Sequence, residues 1–136
     1  MICLDTHVVF WLHANEATKL IGALPHLAGR KIVVSPIVLL ELQFLYEIGR
    51  LTVSPSILVR DLGAQFGLAV SDHPFADVVA HAAGVSWTRD PFDRLIVAQA
   101  LALKLPLCTA DKKIRAHFAG AVWGKRVGRS GPMWSK

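Results

Sequence analysis

Short apolar runs, each closed by a polar residue, alternate along this chain with longer segments of helical period. Ile2-Cys3-Leu4 is closed by Asp5, and a helix is expected over residues 6–14, then a second over about residues 17–27 with Pro25 disturbing its last turn. Lys31-Ile32-Val33-Val34-Ser35 reads as a strand, after which Ser35 and Pro36 supply the N-cap and first-turn proline of a helix ending at Gly49. Ser54-Pro55 starts a helix to about residue 65, residues 68–70 form a third strand, and residues 74–83 a short helix. Asp90-Pro91 opens a long helix to about residue 104, followed by a strand at 105–109, a short helix at 111–118 and a last strand at 121–123. Short apolar strands alternating with helices imply βαβ units and a parallel sheet covered on both faces, an α/β domain. It is expected to occupy residues 1–123, with residues 124–136 as a basic, Gly-rich tail.

Composition narrows the compartment and the partner. At 136 residues the chain makes one domain that buries about two-thirds of its surface. With 53% hydrophobic and only 18% charged residues, a well-buried sheet is expected, with an apolar surface reserved for a partner as a further use of the excess. No apolar run reaches the roughly 18 residues of a membrane span, and no basic segment precedes a long apolar stretch as in a signal peptide. Cys3 and Cys108 lie singly in apolar runs and read as reduced core thiols, so the cytoplasm is the expected compartment. Fifteen Lys and Arg against ten Asp and Glu give a net charge of +5, which permits a polyanionic partner. Part of the excess, Lys125, Arg126, Arg129 and Lys136, belongs to the tail and reads as solvated or, alternatively, as touching nucleic acid.

Against that basic background four acids stand out. Open α/β sheets bind ligands beyond the carboxyl ends of their strands, where Asp5 and Asp111 both fall. If their strands are parallel neighbours, the two carboxylates emerge on one edge, although each would also serve as an ordinary helix cap. Glu41 shares a helical face with Ile37, Leu40, Phe44, Leu45 and Ile48. A carboxylate amid such a stripe must be protonated, paired with a base or bound to a metal. Asp93 shares its face with Ile96, Val97 and Ala100, whereas Asp90 reads as the N-cap of the same helix. Two carboxylates about 4 Å apart repel by about 1 kcal/mol in water and about 4 at an effective dielectric of 20. A cation that prefers oxygen ligands, Mg²⁺ or Mn²⁺, relieves that repulsion, activates water and stabilises charge on a phosphodiester.

Asp5-Thr6-His7, Ser35-Pro36 leading to Leu40-Glu41-Leu42 and Gly49-Arg50-Leu51, the segment from Arg89 through Asp90-Pro91-Phe92-Asp93-Arg94 to Ala100, and Thr109-Ala110-Asp111 together resemble the PIN domain. More narrowly they are similar to the VapC-type toxin ribonucleases of bacterial toxin–antitoxin pairs, over about residues 1–123. The resemblance implies a three-layer α/β/α domain with a mainly parallel sheet, a homodimer, and Mg²⁺- or Mn²⁺-dependent hydrolysis of RNA, with tRNA and ribosomal RNA loops as the usual substrates. It also implies an antitoxin that inserts a peptide across the active-site groove. The family's catalytic and metal-binding acids fall on Asp5, Glu41, Asp93 and Asp111, and Thr109 matches a hydroxyl often found beside the pocket. Thr88 and Leu40 depart from the narrower subgroup, which commonly has His and Trp at those places.

Supporting residues are read more simply. Arg94 is a candidate for holding substrate phosphate or for pairing with Asp90. Lys112, with Lys113 and Arg115, is placed to meet RNA phosphates at the groove mouth or to form a solvated helix face. His7 is expected in packing or a supporting hydrogen bond, and the other histidines lack metal-ligand spacing. The four tryptophans are scattered in sequence rather than arranged as a stacking platform, and Trp11, Trp87 and Trp123 are expected in the core or an interface. The competing function is a catalytically silent PIN-like module whose acidic pocket binds a partner protein's Arg, or an RNA. Phosphoryl transfer of the haloacid-dehalogenase or receiver type is disfavoured, because Thr6 and His7 stand where a second acid belongs. No Gly-x-x-x-x-Gly-Lys segment supports a nucleotide-binding loop.

Overall fold

A computed structural model describes residues 1–124 of the chain; the tail's remaining residues, including Trp134 and the basic cluster, lie outside the described residues. Strands β1 (Ile2–Leu4), β2 (Ile32–Val34), β3 (Ala69–Val70), β4 (Leu107–Cys108) and β5 (Ala121–Val122) form one sheet in the order β3-β2-β1-β4-β5. Every pairing is parallel. The inner strands are buried along their whole length, which accounts for their uninterrupted apolar sequence. The two edge strands are only two residues each, short enough to offer little template for further pairing.

Helices α1 (Thr6–Ala14), α2 (Leu24–Leu27), α3 (Pro36–Glu47), α4 (Pro55–Phe66), α5 (Phe75–Ala82), α6 (Pro91–Leu103) and α7 (Lys112–His117) make the crossovers. They flank the sheet as the outer layers of a three-layer α/β/α fold. The capping residues act as read: Ser35, Ser54 and Asp90 each accept a backbone N–H from the first turn of α3, α4 and α6, with proline just inside. One core runs through both interfaces and is closed by Ile2, Leu4, Leu42, Leu62, Ile96 and Leu107, all under 2% exposed. No helix among the described residues is long and apolar enough to cross a membrane.

Two expectations are corrected. Residues 17–23 form turns, and only Leu24–Leu27 is helical, because Pro25 stands in the first turn of α2, where its missing N–H costs nothing. Pro25 therefore begins a helix instead of disturbing the end of one. The second concerns α3: Leu40, Phe44 and Ile48 are exposed, while Val38 and Leu42 are the residues that α3 buries. Ile37 and Leu45 of the stripe pack against the core, so Glu41 lies between a buried and an exposed apolar side of the helix.

The strand order carries the functional consequence. The chain winds outward from β1 through β2 to β3, then crosses back to place β4 on the other side of β1. The turning point lies between β1 and β4, and beyond the carboxyl ends of such a pair the flanking loops diverge and leave a crevice.

Candidate active site

Asp5 leaves β1 into that crevice, and Asp111 follows β4, the neighbouring parallel strand. Both cap helices as well: Asp5 accepts the Thr6 N–H at 2.7 Å, and Asp111 accepts the Ile114 N–H at 2.9 Å. The capping and pocket-lining roles of an acid at a strand end therefore coexist, because a cap occupies only one carboxylate oxygen. The other oxygen of Asp5 accepts the Thr109 hydroxyl at 2.6 Å. Thr109 is fully buried, and its oxygen in turn accepts the Asp111 N–H at 3.0 Å. One hydroxyl therefore ties the two strand-end acids together.

Glu41 reaches the same crevice from α3 and accepts the hydroxyl of Thr6, the residue that follows Asp5. Asp93 enters from the first turn of α6, and Asp90, its N-cap, lines the crevice beside it. The resulting pocket, about 390 Å³, is walled by Asp5, Glu41, Asp90, Asp93 and Asp111 with His7, Trp11 and Ala110. Five carboxylates thus face one space with no Lys or Arg in its lining.

The electrostatics follow from that lining. Burial raises Asp5 above the ordinary carboxylate range, with the Thr109 and Thr6 hydrogen bonds working against the shift. Glu41 is raised chiefly by burial as well, opposed by the Thr6 hydroxyl and reinforced by Asp5. Asp93 is pushed up to about 7, first by burial and then by Asp90, Asp5, Asp111 and Glu41 in turn. A group whose charge is opposed by four neighbouring acids stands in a field that attracts a cation. An all-carboxylate donor set suits a hard divalent ion such as Mg²⁺ or Mn²⁺. Among the described residues no three His, Cys, Asp or Glu side chains are close enough to form a ready-made metal cage.

The remaining candidates divide. Neither Thr109 nor Arg94 lines the pocket; Thr109, fully buried, touches it only through its hydrogen bonds with Asp5 and Asp111. The Arg94 guanidinium donates to the Ala82 carbonyl at 3.1 and 3.2 Å and to the Ala83 carbonyl at 3.4 Å, closing the C-terminal end of α5. The alternative pairing of Arg94 with Asp90 is not among the ion pairs of the described residues. Lys112 lies outside the acid pocket, in an adjoining shallow depression with Arg115, Ala116, Ala121 and Trp123. Two lining residues were not singled out from sequence. Asp90 was read only as a cap, and Trp11 carries no local signal because its neighbour Trp123, 6.2 Å away ring to ring, is at the far end of the domain. Cys3 and Cys108 are buried free thiols pushed up to about 12 by burial, so they are protonated packing groups.

A parallel sheet with a crevice of acids at its turning point defines an α/β/α protein with an acidic pocket. The chain belongs to the PIN domain family, whose model matches residues 2–117. Members of that family are typically nucleases and generally use divalent metals. In fold the chain is similar to one chain of the crystal structure of VapBC2 from Rickettsia felis bound to a DNA fragment from their promoter. That match has 18% identity, a TM-score of 0.64, and covers 90% of this chain and 99% of that one. It is also similar to a chain of a toxin–antitoxin complex from Klebsiella pneumoniae, with 17% identity, a TM-score of 0.60, and 90% and 96% of the two chains covered. At these identities the likeness is one of fold. No curated protein matches the chain in sequence.

Proposed function

We propose that the protein is a Mg²⁺- or Mn²⁺-dependent endoribonuclease, the toxin of a VapBC-type toxin–antitoxin pair, working in the cytoplasm as a homodimer on tRNA or ribosomal RNA. The observation that carries the reading is the pocket lined by five carboxylates and no Lys or Arg, in which His7 alone offsets the charge of Asp5 and Glu41. Such a lining is self-repelling unless a cation enters it, and a polyanionic substrate is productive there only once that has happened.

Asp5, Glu41, Asp93 and Asp111 are the proposed metal-binding and catalytic acids. A bound divalent ion supplies a more acidic water and charge neutralisation at the phosphodiester. The protein's own work is positional. Thr109 and the Thr6 N–H fix both oxygens of Asp5, and the Thr6 hydroxyl holds Glu41 toward it. Asp93, held near neutrality, is poised to give up its proton as the cation arrives. The exposed Leu40, Phe44 and Ile48 of α3 support contact with a second copy. An antitoxin peptide laid across the groove is the proposed means of restraint, and it would bring a basic side chain to the acids.

The lack of a preformed three-ligand cage gives some support to the alternative, a silent module whose pocket takes only a partner's Arg. One experiment separates the two. The purified full chain is incubated with structured RNA in Mg²⁺, Mn²⁺ or EDTA, beside an Asp5→Asn variant. Cleavage confined to the metal-containing wild type supports the nuclease. No cleavage of any RNA under any condition leaves the binding module, and cleavage by the variant or in EDTA removes the metal site from the account.

A further inference from the structure

We infer that Trp123, Lys112 and Arg115 form a second subsite that holds a nucleotide of single-stranded RNA flanking the bond cut in the acid pocket. The inference rests on the ribonuclease reading above and extends it to a surface outside the acids.

Lys112 and Arg115 are three residues apart on α7 and therefore project from the same side of it. Both are exposed, and among the described residues neither side chain has a carboxylate partner, whereas Lys19 pairs with Glu16 and Arg60 with Asp61. They share a shallow depression with Trp123, which follows β5. The indole is held from behind. Gly22 lies so close beneath it that a Cβ there would come within 2.2 Å of the ring, and the Gly124 N–H donates to the Gly22 carbonyl at 2.7 Å. Trp123 packs against the core and keeps part of its ring exposed. An indole edge so held, flanked by two cations without a carboxylate partner among the described residues, suits a single strand: the ring contacts a base and the cations take its phosphates.

Its position supplies the second argument. Trp123 meets Trp11 with ring centroids 6.2 Å apart and planes at 56°, and Trp11 is a wall of the acid pocket. The basic depression and the acid pocket are thus joined across one aromatic pair, and α7 begins immediately after Asp111. A strand whose phosphate lies at the acids would pass Trp11 to meet Trp123 next. An acidic peptide would use the cations but not the ring, so the aromatic wall favours RNA.

Equilibrium binding tests the subsite independently of cleavage. A fluorescently labelled single-stranded 12-mer RNA is titrated with the full chain in EDTA, by anisotropy, over a range of NaCl. Lys112→Ala/Arg115→Ala, at exposed positions, is expected to weaken binding at least tenfold and to flatten the log–log salt slope by about 1.4, the value for two phosphate contacts on a single strand. Trp123→Ala is expected to weaken binding about tenfold with little change in slope, and Trp123→Phe to retain most of the affinity. Melting curves keep the tryptophan result separate from misfolding, and the Lys112/Arg115 arm does not depend on it. Unchanged affinity and slope in the double variant overturns the subsite. So does an intact salt response with affinity indifferent to residue 123, or a polyglutamate peptide that displaces RNA equally from wild type and Trp123→Ala, which would assign the surface to an acidic protein. RNA cleavage by the wild type, measured separately, decides the nuclease reading on its own.

Discussion

Replacing Asp93 with Asn is predicted to abolish activity and, in the absence of metal, to stabilise the fold. The Asp93 carboxyl rises from 3.8 to about 7 in the folded chain. At roughly 1.4 kcal/mol per pKa unit, ionising it costs on the order of 4 kcal/mol of folding stability. Asp93 is partly exposed, and solvent screening reduces that to about 2 kcal/mol. Because the folded pKa lies above the unfolded one, the cost is absent below about pH 4, grows as pH rises, and is complete above about pH 7. Asn carries the same shape without the charge. In EDTA at pH 8 the variant should melt about 5–10 °C above wild type, with the gap shrinking as pH falls toward 4. Mg²⁺ should raise the wild-type melting temperature and leave the variant nearly unmoved, because the ligand that couples binding to stability is gone. A variant less stable than wild type at pH 8 in EDTA, or one that Mg²⁺ stabilises equally, would refute the electrostatic account of the pocket.

Other outcomes follow from the same geometry. Thr109→Val removes the hydroxyl shared by Asp5 and Asp111, so metal-dependent activity should fall about 10- to 100-fold and stability by about 1–3 kcal/mol, read by cleavage kinetics and denaturant melts. Arg94→Ala should lower stability by about 1.5–3 kcal/mol through the open end of α5 while leaving KM for RNA within about twofold; a large rise in KM would restore Arg94 to the substrate. As pH drops from 8 to 6 the proton on Asp93 competes with the cation, so the Mg²⁺ concentration giving half-maximal cleavage should rise; a flat dependence would contradict the pKa near 7.

Most of the architecture was legible because strands and helices here obey local rules. Inner strands read as unbroken apolar runs, and Ser35, Ser54 and Asp90 with their following prolines marked helix starts. Pro25 was misjudged because a proline near the end of an expected helix and one at the start of a shorter helix look alike until the turns around Gly22 are seen. In the site, Asp5 and Asp111 were visible as strand-end acids, but their adjacency depends on β4 crossing back beside β1, a matter of topology. Glu41 was selected as the centre of an apolar stripe of which only part is buried; what holds it is the Thr6 hydroxyl, a contact across thirty-five positions that no periodicity encodes. Asp90 was passed over because its capping role already explained it. The Trp11–Trp123 pair was invisible because its halves lie at opposite ends of the domain.

The central claim is that these carboxylates hold a divalent cation and that RNA cleavage depends on it. Its most direct test is to strip the full chain with EDTA and titrate Mg²⁺ back. RNA cleavage and the melting temperature are then followed on the same sample, with Asp5→Asn in parallel. Both signals should rise over one Mg²⁺ range in the wild type and neither should rise in the variant. Cleavage that survives stripping, or that returns with Mg²⁺ while the melting temperature stays fixed, would contradict the account.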